Sequence, residues 1–123
     1  MNEQQFKDRT KQLALRVIQV VNSLPSTRAA NVIGRQLLRS GTSVGANYRA
    51  ACRAKSTADM IHKLTIVEEE ADETLYWMEL LIEAELVPRQ LLSDLMGETD
   101  EILAMTVASL KTLRSHLAGK SHM

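Results

Sequence analysis

Apolar residues recur at spacings of three, four and seven positions along almost the whole chain, which is the repeat of an amphipathic α-helix. The pattern is interrupted near residues 25, 55 and 87, so it predicts helices over residues 3–24, 26–54, 56–86 and 88–118. An apolar stripe must be buried against another element. The pattern therefore predicts an all-α fold.

The predicted helix ends carry recognisable signals. Pro25 stops the first helix, and Ser26 or Thr27 can accept hydrogen bonds from the free N–H groups of the second. Ser56 precedes an aspartate at the third helical position, which is typical of a helix start. Pro88 is comfortable at a first helical position and marks a tight corner before the fourth helix.

The second helix has an unusual stripe that continues through Gly41 and Gly45. Each glycine costs up to about 1 kcal/mol against alanine in a helix interior, so we expect another backbone to approach closely there. Asn47 lies on the same stripe and is predicted to bond a carbonyl or carboxylate of a neighbouring helix, with ligand binding as the alternative. Glu68 of the third helix is the second predicted structural polar residue.

The connections between the predicted helices are only a few residues long, so successive helices must run in opposite directions. This arrangement is an antiparallel up-down four-helix bundle. A length of 123 residues fits one domain over residues 1–123. With 45% hydrophobic residues, five Gly, two Pro and four aromatic residues, the composition excludes collagen-like and disordered classes and suits a helical core.

The cellular location is predicted from three features that the sequence lacks: an export signal, a membrane-spanning segment and a pair of cysteines. The first ten residues are polar and carry both signs of charge, which does not resemble an export signal. No apolar run approaches the ~20 residues needed to cross a bilayer. Cys52 is the single cysteine, which forbids an internal disulfide. We therefore expect a cytoplasmic protein that does not enter a membrane.

The formal net charge of zero conceals a separation of charge along the chain. Residues 1–55 hold ten Lys or Arg and two acids, whereas residues 56–101 hold thirteen acids and two bases. Such a division can bind an external anion, or it can place a basic helix beside an acidic one in the same molecule or in a second copy.

The second helix carries the clearest candidate site. Five arginines fall within about an 80° sector that faces away from the apolar stripe, at 100° per residue. They are Arg28, Arg35, Arg39, Arg49 and Arg53. Planar guanidinium groups suit phosphate oxygens, so RNA or DNA backbone is one candidate partner.

The alternative is that these arginines pair with an acidic block on helix three or on an adjacent subunit. The block consists of Glu68, Glu69, Glu70, Asp72 and Glu73. A pI of about 6.8 favours this alternative, because dedicated nucleic-acid-binding domains are usually more basic. Both interpretations stay open at the level of sequence.

Self-association has its own signal on the third helix. Tyr76 and Leu80 lie one turn apart on the face opposite the predicted core, and Trp77 flanks them. Several large apolar groups facing outward together usually mark an interface, although scattered exposed hydrophobic residues are also normal. We expect a homo-oligomer that uses these three residues.

Catalytic chemistry is not predicted. A bundle metal site needs a Glu-x-x-His pair from each of two helices, and the chain offers only one related half, from Asp59 to His62. No nucleophile has an organised partner, so we expect no metal, no cofactor and no enzyme activity.

The run from Gln36 to Asn47 resembles the signature Q-L-x-R-[AS]-x-x-S-[IV]-x-x-N of a family that includes proteins encoded in intervening sequences of 23S ribosomal RNA. The run from Ile66 to Trp77 is similar to the third helix of one branch. Arg49-Ala50-Ala51 and Glu69-Glu70 depart from the commoner pattern, where Ala-Glu-Gly and Gly-Ser are frequent.

This resemblance implies an antiparallel four-helix bundle that assembles into a ring, most often a homopentamer, without known catalysis. Its relatives include an accessory protein of diversity-generating retroelements, which binds nucleic acid through a basic surface. For this chain the resemblance implies an oligomeric scaffold with a nucleic acid as its candidate partner. The alternative is a module for protein interaction whose arginines make subunit contacts.

Overall fold

A computed structural model describes residues 1–121, with side chains as far as residue 119. Its elements are α1 (Glu3–Asn22), α2 (Arg28–Cys52), α3 (Thr57–Glu83) and α4 (Arg89–Ser121), and this range contains no strand. The predicted all-α class and the four helices are confirmed, with ends displaced by at most three residues. Among the described helices, none is both long and apolar enough to cross a membrane.

Side-chain caps begin the first three helices. Thr27, rather than Ser26, accepts from the backbone N–H of the third residue of α2, at 3.1 Å. Ser56 caps α3 in the predicted way, through the backbone N–H of Asp59. Sequence reasoning did not identify the cap of α1, where Asn2 and a glutamine three residues later bond each other's backbone N–H groups.

The corner between α3 and α4 corrects the predicted end of the third helix. The prediction extended it to residue 86, but α3 ends at Glu83 because Glu85 adopts a left-handed conformation with φ 59°. The N–H of Leu86 then donates to the carbonyl of Leu81 at 3.0 Å, which closes the helix end. Pro88 was predicted as the first residue of the fourth helix, but α4 begins at the next residue, Arg89.

One buried cluster draws residues from all four helices. Leu13, Val17, Leu37, Val44, Val67, Met78, Leu81, Leu92 and Ile102 are among its fully buried members. Helix α2 packs against α1 and α3, and α3 packs against α4, whereas α1 and α4 touch much less. The core is therefore continuous across the helices, and the α1–α4 edge is its least covered side.

The predicted close approach on α2 is confirmed, and the approaching helix is α1. A Cβ atom on Gly41 would lie 2.8 Å from a methyl carbon of Val17, and one on Gly45 would lie 3.2 Å from the hydroxyl oxygen of Thr10. Real Cβ atoms rarely tolerate such distances. The two glycines thus allow α1 and α2 to pack closely.

Ion pairs link α1 to α4, whose backbones have few close contacts. Arg9 contacts Glu98 through two nitrogens, at 2.6 and 2.7 Å, and Glu101 at 3.2 Å. Two turns further along α1, Arg16 contacts Asp94 at 2.6 Å. These pairs join the basic first half of the chain to its acidic second half within one molecule.

The prediction for Asn47 is wrong in its partner. The Asn47 amide donates to the carbonyl of Ser43, one turn earlier in α2, at 2.8 Å, rather than to a neighbouring helix. Helix α2 meets α3 instead through two buried hydroxyls, since Thr74 donates to Ser40 at 3.0 Å. Glu68 is half-buried, and no described side chain forms an ion pair or hydrogen bond with it.

Candidate nucleic-acid interface

The arginine row, which follows α2 as far as its C-cap residue Arg53, is exposed along its whole length. All five arginines are exposed to solvent, whereas Leu37, Val44 and Ala51 on the opposite side of the helix are buried. No Asp or Glu occurs anywhere from residue 9 to residue 58, so α2 and most of α1 supply only positive formal charge. The helical repeat therefore places the row on the outer surface of a cationic helix pair.

Arg39 differs from the rest of the row because its charge is used inside the molecule. Its guanidinium contacts Glu70 at 3.0 Å and also bonds Glu73, both on α3. The Trp77 indole N–H donates to the same Glu73 carboxylate at 3.2 Å. The hydrogen bond from Arg39 is the main cause that lowers the pKa of Glu73, against the opposing effect of burial. Intramolecular pairing with helix three is thus confirmed for Arg39.

The other four arginines make no such pair. Among the side chains that the structure describes, no carboxylate forms an ion pair with Arg28, Arg35, Arg49 or Arg53. Glu69 and Asp72 of the acidic block are exposed and likewise take no partner from the row. Four guanidinium groups on one helix face therefore remain available to a ligand or to a second copy.

A groove of about 400 Å³ lies between α1 and α2 beside this row. Arg49 lines it from α2, and Lys7 and Lys11 line it from α1. The sequence pattern did not identify the two lysines as site residues, because it shows them only as polar residues opposite the apolar stripe of the first helix. Their one-turn spacing was visible, but only the pairing of α1 with α2 shows that they share a groove with Arg49.

The predicted interface residues on α3 form a partly exposed aromatic patch. Tyr76 is 51% exposed, and its ring meets the ring of Trp77 edge-on, with centroids 5.0 Å apart. Trp77 and Leu80 are each half-buried. The structure thus leaves the Tyr76 ring half-exposed on the outer side of α3, whereas Trp77 also packs against the core.

The other residues considered for metal binding or catalysis, Asp59, His62 and Cys52, do not form a site in the structure. Asp59 accepts from the backbone N–H of Lys55 at 3.1 Å and from the Lys63 ammonium at 3.0 Å, while His62 is exposed. No group of three potential metal ligands gathers within the described part of the chain. Burial is the largest cause that raises the pKa of Cys52, which favours its protonated thiol.

A family model described as 23S rRNA-intervening sequence protein matches residues 2–108. No curated protein matches the chain. Among solved structures, the chain is similar to a protein of unknown function from the S23 ribosomal protein family of Bacteroides thetaiotaomicron, with 39% identity and a TM-score of 0.81. That match covers 86% of this chain and 98% of the other. The chain therefore belongs to the 23S rRNA-intervening sequence protein family, as its helix-two signature predicted.

Proposed function

We propose that the protein is a non-catalytic, cytoplasmic scaffold that binds the backbone of a nucleic acid through the exposed arginines of α2. One observation carries the proposal. Arg28, Arg35, Arg49 and Arg53 stand on one face without a described carboxylate partner, in a stretch from residue 9 to residue 58 that contains no acid. A guanidinium group donates two parallel hydrogen bonds to a phosphate while keeping its full charge.

The framework that we propose for this scaffold is an antiparallel up-down four-helix bundle. Contacts between α1 and α2 support it, because Thr10 lies against Gly45 whereas Val17, further along α1, lies against the earlier Gly41. Contacts between α1 and α4 follow the same rule, since Arg9 meets Glu98 and Arg16 meets the earlier Asp94. In both pairs, residue numbers rise along one helix as they fall along the other.

Nucleic-acid binding of this kind has a measurable signature. Each phosphate contact releases condensed counterions, so the logarithm of the binding constant falls with the logarithm of salt concentration by about 0.7 to 0.9 per contact. Such binding is sequence-independent, because phosphates carry no base identity. The neutral overall charge does not oppose this, since the positive charge is concentrated on one pair of helices.

The experiment is fluorescence anisotropy of a labelled structured RNA titrated with the protein over a series of salt concentrations. We expect binding at low ionic strength, and we expect the double variant Arg35→Gln/Arg49→Gln to reduce the salt slope by about 1.4 to 1.8. The matched control is Arg89→Gln/Lys111→Gln, which removes the same charge from exposed positions on α4. Absence of binding at low ionic strength would contradict the proposal, as would equal losses in the two double variants.

A second candidate function is self-association, which the aromatic patch of Tyr76, Trp77 and Leu80 favours. Half of the Tyr76 side chain is exposed beside the half-buried Trp77, so covering this patch would remove a large apolar surface from water. The acidic and basic halves of the chain offer complementary surfaces to neighbouring copies. A contact between two different surfaces closes into a ring when its rotation permits, and the family resemblance favours five subunits. In this candidate the module needs no nucleic acid.

A further inference from the structure

The floor of the α1–α2 groove is made of small side chains. Gly45 packs against Thr10 there, and Ala14, Thr42 and Ala46 complete the lining between the two helices. Because these residues project little, they leave an open space between the two helices. The resulting space, about 400 Å³, is open along the side of the molecule that carries the arginine row.

The walls of the groove carry more positive than negative charge. Lys7 and Lys11 are one turn apart on α1, a rise of about 6 Å along the helix axis, and Arg49 stands across from them on α2. Lys11 and Arg49 have no ion-pair partner among the described side chains, whereas Lys7 also contacts the exposed Glu3 at 3.3 Å. Asp8 is the one acid in the lining, and its carboxylate accepts from a glutamine amide of the preceding turn at 2.9 Å.

The groove offers little that distinguishes one base from another. Its threonine hydroxyls donate within their own helices, Thr10 to the carbonyl of Lys7 at 3.1 Å and Thr42 to the carbonyl of Leu38 at 2.7 Å. The lining contains no aromatic side chain on which a base would stack. Cations without stacking platforms recognise phosphates rather than bases.

We infer that this groove binds the phosphodiester backbone of a single nucleic-acid strand, with Lys7 and Lys11 on one side and Arg49 on the other, without preference for base sequence. The inference deepens the proposed function and rests on it. A single strand is the proposed occupant, because a groove of about 400 Å³ between two closely packed helices has too little volume to hold a duplex. Two cations spaced along one wall contact successive phosphates, and the third holds the strand from the opposite wall.

The test fills the groove without changing any charge. Ala46 is exposed on the groove floor, and Ala46→Met places a long side chain where the strand would lie. We expect the affinity for labelled single-stranded oligouridylate to fall roughly tenfold, as when one or two phosphate contacts are lost. The control is Ala29→Met, which adds the same side chain at an exposed position of α2 outside the groove lining and leaves affinity unchanged. Thermal unfolding of each variant checks that the fold is preserved.

The outcomes separate this inference from the proposed function. If Ala46→Met and Ala29→Met both bind as tightly as the wild-type protein, the groove is not the binding site. The proposed binding through the arginine face would be unaffected by that result. Loss of affinity in both variants alike would also overturn it. A strong preference for oligouridylate over oligoadenylate would contradict recognition through phosphates alone. Failure of the wild-type protein to bind any strand or structured RNA at low ionic strength would remove both the proposed function and the inference.

Discussion

Arg39 shows how an ion pair within the molecule changes the role expected of a residue. It shares the exposed face of the arginine row, yet its guanidinium is bound by Glu70 and Glu73 of α3. A ligand that used Arg39 would first have to break these bonds. Arg39 is therefore better understood as a link between α2 and α3, and Arg49 is the cleaner probe of external partners.

Arg39→Gln tests this link through its pH dependence. Arg39 lowers the pKa of Glu73 below its ordinary value of 4.5, so the unfolded chain binds this proton more readily than the folded protein. The contribution to stability is complete above pH 4.5 and is lost as pH falls through the lower folded pKa. We expect the variant to lose about 0.5 kcal/mol of unfolding free energy near neutral pH, as exposed ion pairs do, and less in acid.

Urea denaturation followed by circular dichroism measures this difference. Arg35→Gln is the matched control, since it removes the same charge from a side chain without a described carboxylate partner. We expect Arg35→Gln to have the same unfolding free energy as the wild-type protein, both near neutral pH and in acid. A deficit of Arg39→Gln that persists undiminished in acid would show that the ion pair is not its source.

At the scale of the helices, α1 and α2 pack closely, and glycine makes their approach possible. The missing side chain of Gly41 leaves room for both methyl groups of Val17, which a Cβ atom would meet at 2.8 and 2.9 Å. Gly97 of α4 presents the opposite case, because a Cβ atom there would meet no heavy atom within 4 Å. The same substitution should thus have opposite effects in the two helices.

Gly41→Ala should lower the unfolding free energy by about 1–3 kcal/mol, because overpacking outweighs the better helix propensity of alanine. Gly97→Ala should raise it by about 0.5–1 kcal/mol, since propensity acts there without a clash. Chemical denaturation of both variants measures the two changes. Stabilisation by Gly41→Ala would contradict the close packing of α1 on α2.

The whole molecule has a cationic half, α1 with α2, and a largely anionic half, α3 with α4. The halves are already joined through Arg9 and Arg16, while Tyr76 of the aromatic patch and the whole arginine row stay exposed. The proposed self-association belongs to this scale, because it would bring surfaces of one whole molecule against those of another.

Light scattering over a range of salt concentrations tests the proposed assembly. We expect a mass well above the 13.7 kDa of one chain, and we expect Tyr76→Ser to move it toward that value by removing the exposed ring. Val107→Ser is the control, since it alters a side chain that is 43% exposed on α4, outside the patch. A wild-type mass of one chain at every salt concentration would exclude self-association, and an unchanged Tyr76→Ser assembly would exclude this patch.

Local signals in the sequence determined the helices and several of their ends. The three-four spacing of apolar residues needs no partner to be recognised, and the caps at Thr27 and Ser56 act within one turn. Gly41 and Gly45 also predicted a closely packed neighbouring helix. Two glycines in one stripe lower the stability of the helix, and close packing offsets that loss. The left-handed Glu85 could not be foreseen, since glutamate is not the residue that usually adopts it.

Which side chains meet was decided by the tertiary structure alone. Five similar arginines on one face are equivalent in the sequence, and only the position of Glu70 and Glu73 separates Arg39 from the other four. Lys7 and Lys11 join Arg49 only because α1 packs along α2. Periodicity follows from the geometry of a single helix, whereas the partner of a charged side chain depends on which helices lie next to each other and in what register. Local sequence patterns are thus enough to predict the four helices, whereas helix packing controls which charges remain free for a ligand.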